Sequence, residues 1–379
     1  MKYRIIYGGN FVNKGAEALT LSAVDILREK FPDDEPVLLN LFPNKFGKEL
    51  NIYDFKVVNM HIRTLFRMHF PILKFILKKS PKSDDEKEIK QLFENAKGFY
   101  DINGYGVSAH NQDVIWTLAT MFPVFWAQKK NIPVILLPQS LGPFNFKGWK
   151  KLFIKPLIRK YLNIPKTVFV RENESVEEVK AIRKSEVYHS NDLVVLNPLK
   201  ITNSSENSIA VIPNRQLTNF LPFDKVVEIF TNVIKNITDN NYKVYLFAHS
   251  TDDFKLCQKI YDNLLDNNNV THYSDNFSVR ETEEILSRMK GVITSRYHGL
   301  VHALRAGKPV MTIGWAKKYH SLLKSVGQDE FYTDLSKNHN VNKIYAILNS
   351  WLEDGLNNSE FIKNKISEIQ AESNLKEYL

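Results

Sequence analysis

A serine, an arginine and a histidine fall within four residues of one another in the stretch 291–312, GVITSRYHGLVHALRAGKPVMT. Residues 292–294 are a short β-branched apolar run, and over 297–306 the apolar residues recur at helical spacing, so a strand is expected to turn directly into a helix. Ser295, Arg296 and His298 then sit at the strand's carboxyl end and in the helix's first turn, with Tyr297 and Gly299 beside them. Such a turn presents unsatisfied N–H groups, and Arg296 adds a fixed cation whose fork matches phosphate or carboxylate. His298 puts a proton donor next to that anion site, which suits general acid chemistry. The plainer alternative is a helix-capping arginine and a packed histidine; clustering at one strand end favours the site. His302 shares a helix face with His298, but no third ligand stands at a suitable spacing, so no metal site is predicted.

Other strand ends carry similar chemistry. Residues 3–8 read as a strand running into GGNFVNKGAEAL, with helical pattern over 16–28. Gly9 and Gly15 allow close backbone approach to a ligand, and Asn10, Asn13 and Glu17 are hydrogen-bonding groups at the mouth of that turn. This is neither GxGxxG nor a Walker loop. The strand at 99–102 leads into Asp101, Asn103 and Gly104; the strand at 134–137 leads to Gln139; and the strand at 167–170 ends at Arg171. After an Asn-, Ser- and Thr-rich linker at 198–208 the pattern restarts. Residues 209–212 run to Arg215, 244–248 to His249 and Ser250, and 310–313 to Lys317 and Lys318, which read equally as phosphate contacts or as a solvated helix start.

Alternating short strands and longer helices imply βαβ units and parallel sheets, with ligands outside the strands' carboxyl ends. The expected fold is α/β, two Rossmann-like domains facing across a cleft: 1–197, then 198–345, then charged helices over 346–379 closing the structure. The 379-residue length accommodates two such cores. A single cysteine, Cys257, excludes an internal disulfide. No signal-peptide pattern or spanning stretch is visible, which makes a cytoplasmic location the default expectation.

Net charge is +9, and it is concentrated. Residues 1–171 hold 27 Lys and Arg against 15 Asp and Glu, leaving 24 against 27 for the remainder. Between Asp54 and Asp84 there are seven basic residues and no acid, and between Asp113 and Glu172 ten and none. Phe66, Met68, Phe70, Ile72, Leu73, Phe75, Ile76 and Leu77 interleave the first run; Trp149, Phe153 and Leu157 interleave the second. Basic residues mixed with apolar ones suit an anionic membrane surface, peripheral on the inner face of the cell membrane, or simply a solvated lysine-rich face. No nucleic-acid motif accompanies them, so no nucleic-acid partner is expected.

SRYHGLVHALRAGKPVMTIGW, VFVRENES, LPQSLGPF and GGNFVNKGAEAL, in their order along the chain, together resemble the polysaccharide pyruvyl transferase family. The resemblance runs from the first strand to about Gly327 and is most specific at Arg296 and His298. It implies the glycosyltransferase B architecture and transfer of pyruvate from phosphoenolpyruvate onto two sugar hydroxyls as a cyclic ketal, with no cofactor. Arg296 and Arg171 would hold the donor's anionic groups, helped by Ser295, Tyr297, Gly299, Gln139, Arg215, His249, Ser250, Lys317 and Lys318. His298 matches the family's general acid. Glu17 and Asp101 both remain open as the base; an acid often directly follows glycine in this family, whereas here Gly15-Ala16-Glu17 places it one residue later. Gly9, Asn10, Asn13, Gly15, Glu17, Asn103 and Gly104 would face the acceptor, a terminal hexose such as galactose or an N-acetylhexosamine on a lipid-linked oligosaccharide in surface polysaccharide assembly. Two other readings stand beside it: a nucleotide-sugar glycosyltransferase of the same fold using Glu283 or Glu284 near a ribose, and an inactive membrane-surface scaffold.

Overall fold

The computed structural model describes residues 2–11, 14–41, 53–70, 86–109, 113–199, 206–275, 277–336 and 341–379. They form two compact α/β units, Met1–Leu193 with Ser373–Leu379, and Val194–Glu372. The division falls just before the polar stretch expected to be the linker, most of which lies outside the described residues. The carboxyl-terminal helices belong to the second unit, and only the last residues return to the first. There Tyr378 packs its ring against Phe169 and Tyr188, at 5.9 and 4.5 Å between centroids.

In the first unit, seven described strands pair entirely in parallel in the order β3-β2-β1-β4-β5-β6-β7. They are β1 (Tyr3–Tyr7), β2 (Glu35–Asn40), β3 (Lys56–Asn59), β4 (Ala96–Asp101), β5 (Val134–Gln139), β6 (Thr167–Val170) and β7 (Tyr188–His189). A parallel sheet is covered on both faces, so its strands are apolar throughout rather than alternating. VILLPQ is buried at every position, and Ile5 pairs with Val37 on one side and Phe99 on the other. The covering helices are α1 (Lys14–Lys30), α2 (Ile62–His69), α3 (Glu86–Glu94), α4 (Val114–Lys129), α5 (Trp149–Asn163) and α6 (Asn173–Lys180). Helix α1 starts at Lys14, two residues earlier than expected, so Gly15 and Glu17 lie in its first turn and not in a loop. Helix α2 was not anticipated: Leu65 is buried and Phe66 and Met68 pack on the core, while Phe70 just beyond is exposed. Half of the first basic, apolar run therefore covers the sheet, and the rest of it, including Ile72, Leu73, Phe75, Ile76 and Leu77, lies outside the described residues.

At the end of α2, His69 stacks on Phe122, with ring centroids 3.9 Å apart and planes 4° apart. Burial and, after it, the charges of Lys129 and Lys160 lower its pKa from 6.5 to about 4. The unfolded chain therefore binds the proton more readily across that window, and stability is lost as pH falls through it. Melting temperatures measured above and below the window are expected to show this loss in the wild type, and a smaller one in His69→Phe, which keeps the stack and removes the titration.

The second unit repeats the pattern with β8 (Ser208–Ile212), β9 (Lys243–Phe247), β10 (Val270–Tyr273), β11 (Gly291–Thr294), β12 (Val310–Gly314) and β13 (Tyr332–Asp334), again all parallel, in the order β10-β9-β8-β11-β12-β13. Its helices are α7 (Phe223–Asp239), α8 (Phe254–Asp262), α9 (Val279–Arg288), α10 (Tyr297–Arg305), α11 (Lys317–Ser325), α12 (Val341–Glu353) and α13 (Ser359–Ala371). Helix α7 buries Val226, Phe230, Val233 and Ile237, one stripe at helical spacing, against strands that contribute Val211, Leu246 and Ile293. Helix α9 opens with a capping box between Ser278 and Glu281, which fixes where Glu283 points one half-turn later. No helix among the described residues is long and apolar enough to cross a membrane.

Candidate active site

Strand order in each sheet reverses direction at one place, and loops leaving the strands there diverge to leave a crevice. In the second unit the reversal lies between β8 and β11. The loop after β8 carries Asn214 and Arg215, and the turn after β11 carries Ser295 to Gly299. The Asn214 side-chain amide donates to the Ser295 carbonyl at 3.2 Å, and Tyr319 Oη donates to the same oxygen at 3.0 Å. Thr294 Oγ1 accepts the Arg296 N–H at 3.0 Å, which fixes the turn into α10. Gly299 is required by space: a Cβ there would stand 2.6 Å from Thr294 Oγ1, so the helix start presses onto the strand end as only glycine permits. Ser295 is fully buried, and its Oγ has no hydrogen-bond partner among the described residues.

Arg296 does not stand as a lone cation. Its Nε and Nη2 donate to Asp253 Oδ2 and Oδ1 at 2.7 and 2.6 Å, and Asp253 Oδ1 also accepts the Arg215 N–H at 2.9 Å. Burial raises the Asp253 carboxyl above its ordinary range, and the Arg296 fork opposes that shift. A bidentate pair of this kind orients a guanidinium rigidly and leaves its Nη1 side to meet an incoming anion. Asp253 sits at the end of the β9 loop, where Ser250 caps a single 3-10 turn and His249 is buried. Lys318, in the first turn of α11, places Nζ 4.5 Å from the centre of the Tyr297 ring, so it reaches the turn, whereas Lys317 is exposed. Arg215 is exposed as well and contributes its backbone to the Asp253 cluster.

His298 is partly exposed, with its ring 6.4 Å from that of His302. His302 is fully buried; its Nδ1 lies 2.9 Å from Glu283 Oε1, and the same oxygen accepts from Arg305 Nη1 at 2.5 Å. Burial alone would raise the Glu283 carboxyl, but His302 and Arg305 outweigh it and hold it below the ordinary range. The ionised carboxylate keeps the His302 proton on Nδ1, and Nε2 makes no hydrogen bond among the described residues; the His249 and His298 rings lie 5.6 and 6.4 Å from that of His302. Glu283, considered from the sequence as a ribose contact, is instead the buried partner of a histidine. No group of three His, Cys, Asp or Glu among the described residues is arranged to hold a metal.

In the first unit the reversal lies between β1 and β4. Gly8, with φ of +89° and a would-be Cβ 2.5 Å from the Asn103 side chain, lets the two loops meet. A small open recess is lined there by Tyr7, Gly8, Gly9, Asn103, Trp116 and Thr120 among others. Gly9 and Asn103 thus border it; Asn10 is half-buried, and Asn13 lies outside the described residues. Glu17 is buried and accepts from Tyr53 Oη at 3.1 Å, and Gly15 is buried in α1.

Hydrogen bonding defines the surroundings of three of the expected residues in this unit. Asp101 is fully buried and accepts from the Asn103 N–H at 3.0 Å, the Asn103 amide at 2.7 Å and Tyr161 Oη at 2.8 Å. Burial raises its pKa and these donors oppose the rise, an arrangement that anchors the Asn103 loop. Gln139 is likewise fully buried, with Nε2 3.3 Å from the Asp101 carbonyl. Arg171, expected as a donor cation, has a side chain only 4% exposed; Nη1 pairs with Asp192 Oδ2 at 2.5 Å and Nη2 donates to Ser140 Oγ at 2.8 Å and to the Gly104 carbonyl. It joins the loops after β4, β5 and β6, and the role this geometry supports is positioning those loops. Asp192 and Asp253 escaped notice because a lone aspartate after a strand looks like any turn residue; the nearest signal was the Asp252-Asp253 pair at a strand end.

No curated protein sequence matches the chain. Solved structures with the same fold span it almost completely. A UDP-GlcNAc 2-epimerase from Neisseria meningitidis bound to UDP-GlcNAc is 12% identical with a TM-score of 0.60, covering 97% of this chain and 96% of that one. Anabaena HepE in complex with UDP and glucose is 12% identical with a TM-score of 0.59, covering 98% and 95%. A glycosyltransferase from Rickettsia africae is 12% identical with a TM-score of 0.57, covering 100% and 97%. At such identities the likeness shows the two-unit α/β fold alone. Family membership comes from the sequence, where the model for polysaccharide pyruvyl transferases matches residues 13–317, a span holding both Arg171 and the Arg296–His298 turn. With four-fifths of its length inside that match, the chain belongs to the polysaccharide pyruvyl transferase family.

Proposed function

We propose that this protein takes pyruvate from phosphoenolpyruvate and places it as a cyclic ketal on two hydroxyls of a hexose, such as galactose or an N-acetylhexosamine, carried on a lipid-linked oligosaccharide. The observation that carries the reading is the turn after β11, where an oriented guanidinium, the amino end of α10 and a partly exposed histidine come together in a member of this family. Phosphoenolpyruvate brings a phosphate and a carboxylate, which the Nη1 side of Arg296, the α10 N–H groups and Lys318 suit. His298 gives its proton to the methylene carbon and C2 becomes electrophilic. One sugar hydroxyl adds to C2, the C2–O bond to phosphate breaks, and the second hydroxyl closes the ring. Of the two hydroxyl protons, one restores His298 and the other leaves on phosphate, so no oxidant, reductant or metal enters the balance.

The recess beside Gly9, Asn103 and Trp116 is the place among the first unit's described residues proposed for the sugar, since a tryptophan and polar side chains line it together. The nucleotide-sugar reading is weakened by Glu283, which is 5% exposed and tied to His302 and Arg305. The proposal is tested by incubating the protein with phosphoenolpyruvate and lipid-linked oligosaccharides while following phosphate and acceptor mass. Release of one phosphate per acceptor that gains pyruvate less one water supports it; gain of a hexose from a nucleotide sugar overturns it.

A further inference from the structure

Helix α5 is apolar on two opposite faces. Its inner face buries Ile154, Ile158, Tyr161 and Leu162 in the core of the first unit, and the Tyr161 hydroxyl bond to Asp101 anchors it there. Its outer face presents Trp149, Leu152 and Phe153, at spacings of three and four residues, exposed by 56%, 71% and 66%. Leu157, which the sequence also suggested for this patch, is half-buried and packs on the core instead. Single exposed apolar residues are ordinary, but three large ones on adjacent turns of one helix mark a contact surface.

The charges around the patch decide what it meets. Lys147, Lys151, Lys155 and Arg159 are exposed along the same helix and its approach. No acidic residue occurs between Asp113 and Glu172, a stretch holding ten basic ones. A second copy of this chain would bring like charge against like, which disfavours self-association through the patch. An anionic bilayer supplies both things the surface lacks, an apolar layer for tryptophan, leucine and phenylalanine and phosphates for the lysines.

We infer that the outer face of α5 docks the first unit onto an anionic membrane surface, with Trp149, Leu152 and Phe153 entering the headgroup region and Lys151, Lys155 and Arg159 meeting lipid phosphates. This extends the lipid-linked acceptor reading, and the two fail separately because membrane binding is read with neither donor nor acceptor present. The test is flotation of the full chain with vesicles of phosphatidylcholine alone or of equal parts phosphatidylcholine and phosphatidylglycerol, with tryptophan emission recorded in parallel. The wild type is expected to partition about tenfold or more in favour of the anionic vesicles, with blue-shifted emission, and less strongly as salt rises. Trp149→Ser/Leu152→Ser/Phe153→Ser and, separately, Lys151→Gln/Lys155→Gln/Arg159→Gln are each expected to lower partitioning roughly tenfold while melting as the wild type does, since the replaced side chains lie outside the core. Absence of wild-type binding, or equal binding by the apolar variant, overturns the inference. A wild-type dimer that the apolar variant loses, with neither protein on vesicles, would assign the face to a second copy instead.

Discussion

His298→Gln is expected to slow phosphate release from phosphoenolpyruvate by about 10²–10⁴-fold, the range that a positioned general acid contributes. Glutamine keeps a polar side chain of similar reach but cannot hand a proton to carbon. The side chain is partly exposed and stands outside the cores of the second unit, so the melting temperature should change little. Donor affinity, proposed to come from the Nη1 side of Arg296 and the helix end, should be largely retained. A variant with wild-type turnover would remove His298 from the chemistry altogether.

Arg171→Met is expected to act on folding. The guanidinium is the partner of Asp192, whose side chain is fully buried, and it also bonds Ser140 and the Gly104 carbonyl. Removing one member of a buried pair leaves a desolvated charge, which typically costs about 3–5 kcal/mol. For a unit of this size the melting temperature should fall on the order of 10 °C. Asp192→Asn in the same background should recover part of the loss, since it removes the stranded charge. Activity, corrected for the folded fraction, should drop less than in an Arg296 variant. The opposite pattern, a wild-type melting temperature with phosphoenolpyruvate binding abolished, would return Arg171 to the donor.

The difference between these two arginines shows where the sequence could be read and where it could not. Each follows a short apolar strand and each stands in a family motif, so type and spacing make them look alike. What separates them is the neighbour that the sheet order brings. Parallel pairing of β6 with β7 carries the chain to Asp192 beside Arg171, whereas the loop after β9 delivers Asp253 to Arg296 with a side left open. Such partners lie tens of residues away and no local pattern encodes them. The change from strand to helical period at Thr294, by contrast, is local, and it located the His298 turn to the residue.

Among strands, the interior ones were legible because burial on both faces makes them continuous apolar runs. The three that were not, β7, β10 and β13, are all at sheet margins, where one neighbour suffices and mixed sequences such as VTHY and YTD serve. Helix α2 was hidden for a different reason. Arg63 is exposed, Arg67 pairs with Glu86 and His69 stacks on Phe122, while Leu65, Phe66 and Met68 pack on the core, and charge interleaved with apolar residues looks in the sequence like a membrane face. Among the described residues, α5 carries an exposed apolar face; both its sides are apolar, and only tertiary packing decides which one the core takes.

Phosphoenolpyruvate binding at the turn after β11 is measured directly by isothermal titration calorimetry of the wild type and Arg296→Ala with phosphoenolpyruvate, UDP-glucose and UDP-N-acetylglucosamine. Binding of phosphoenolpyruvate by the wild type, weakened at least about tenfold in the variant as expected for loss of a charge-assisted contact from the Nη1 side of Arg296, is the predicted result. Tight binding of a UDP-sugar with no heat from phosphoenolpyruvate would contradict it.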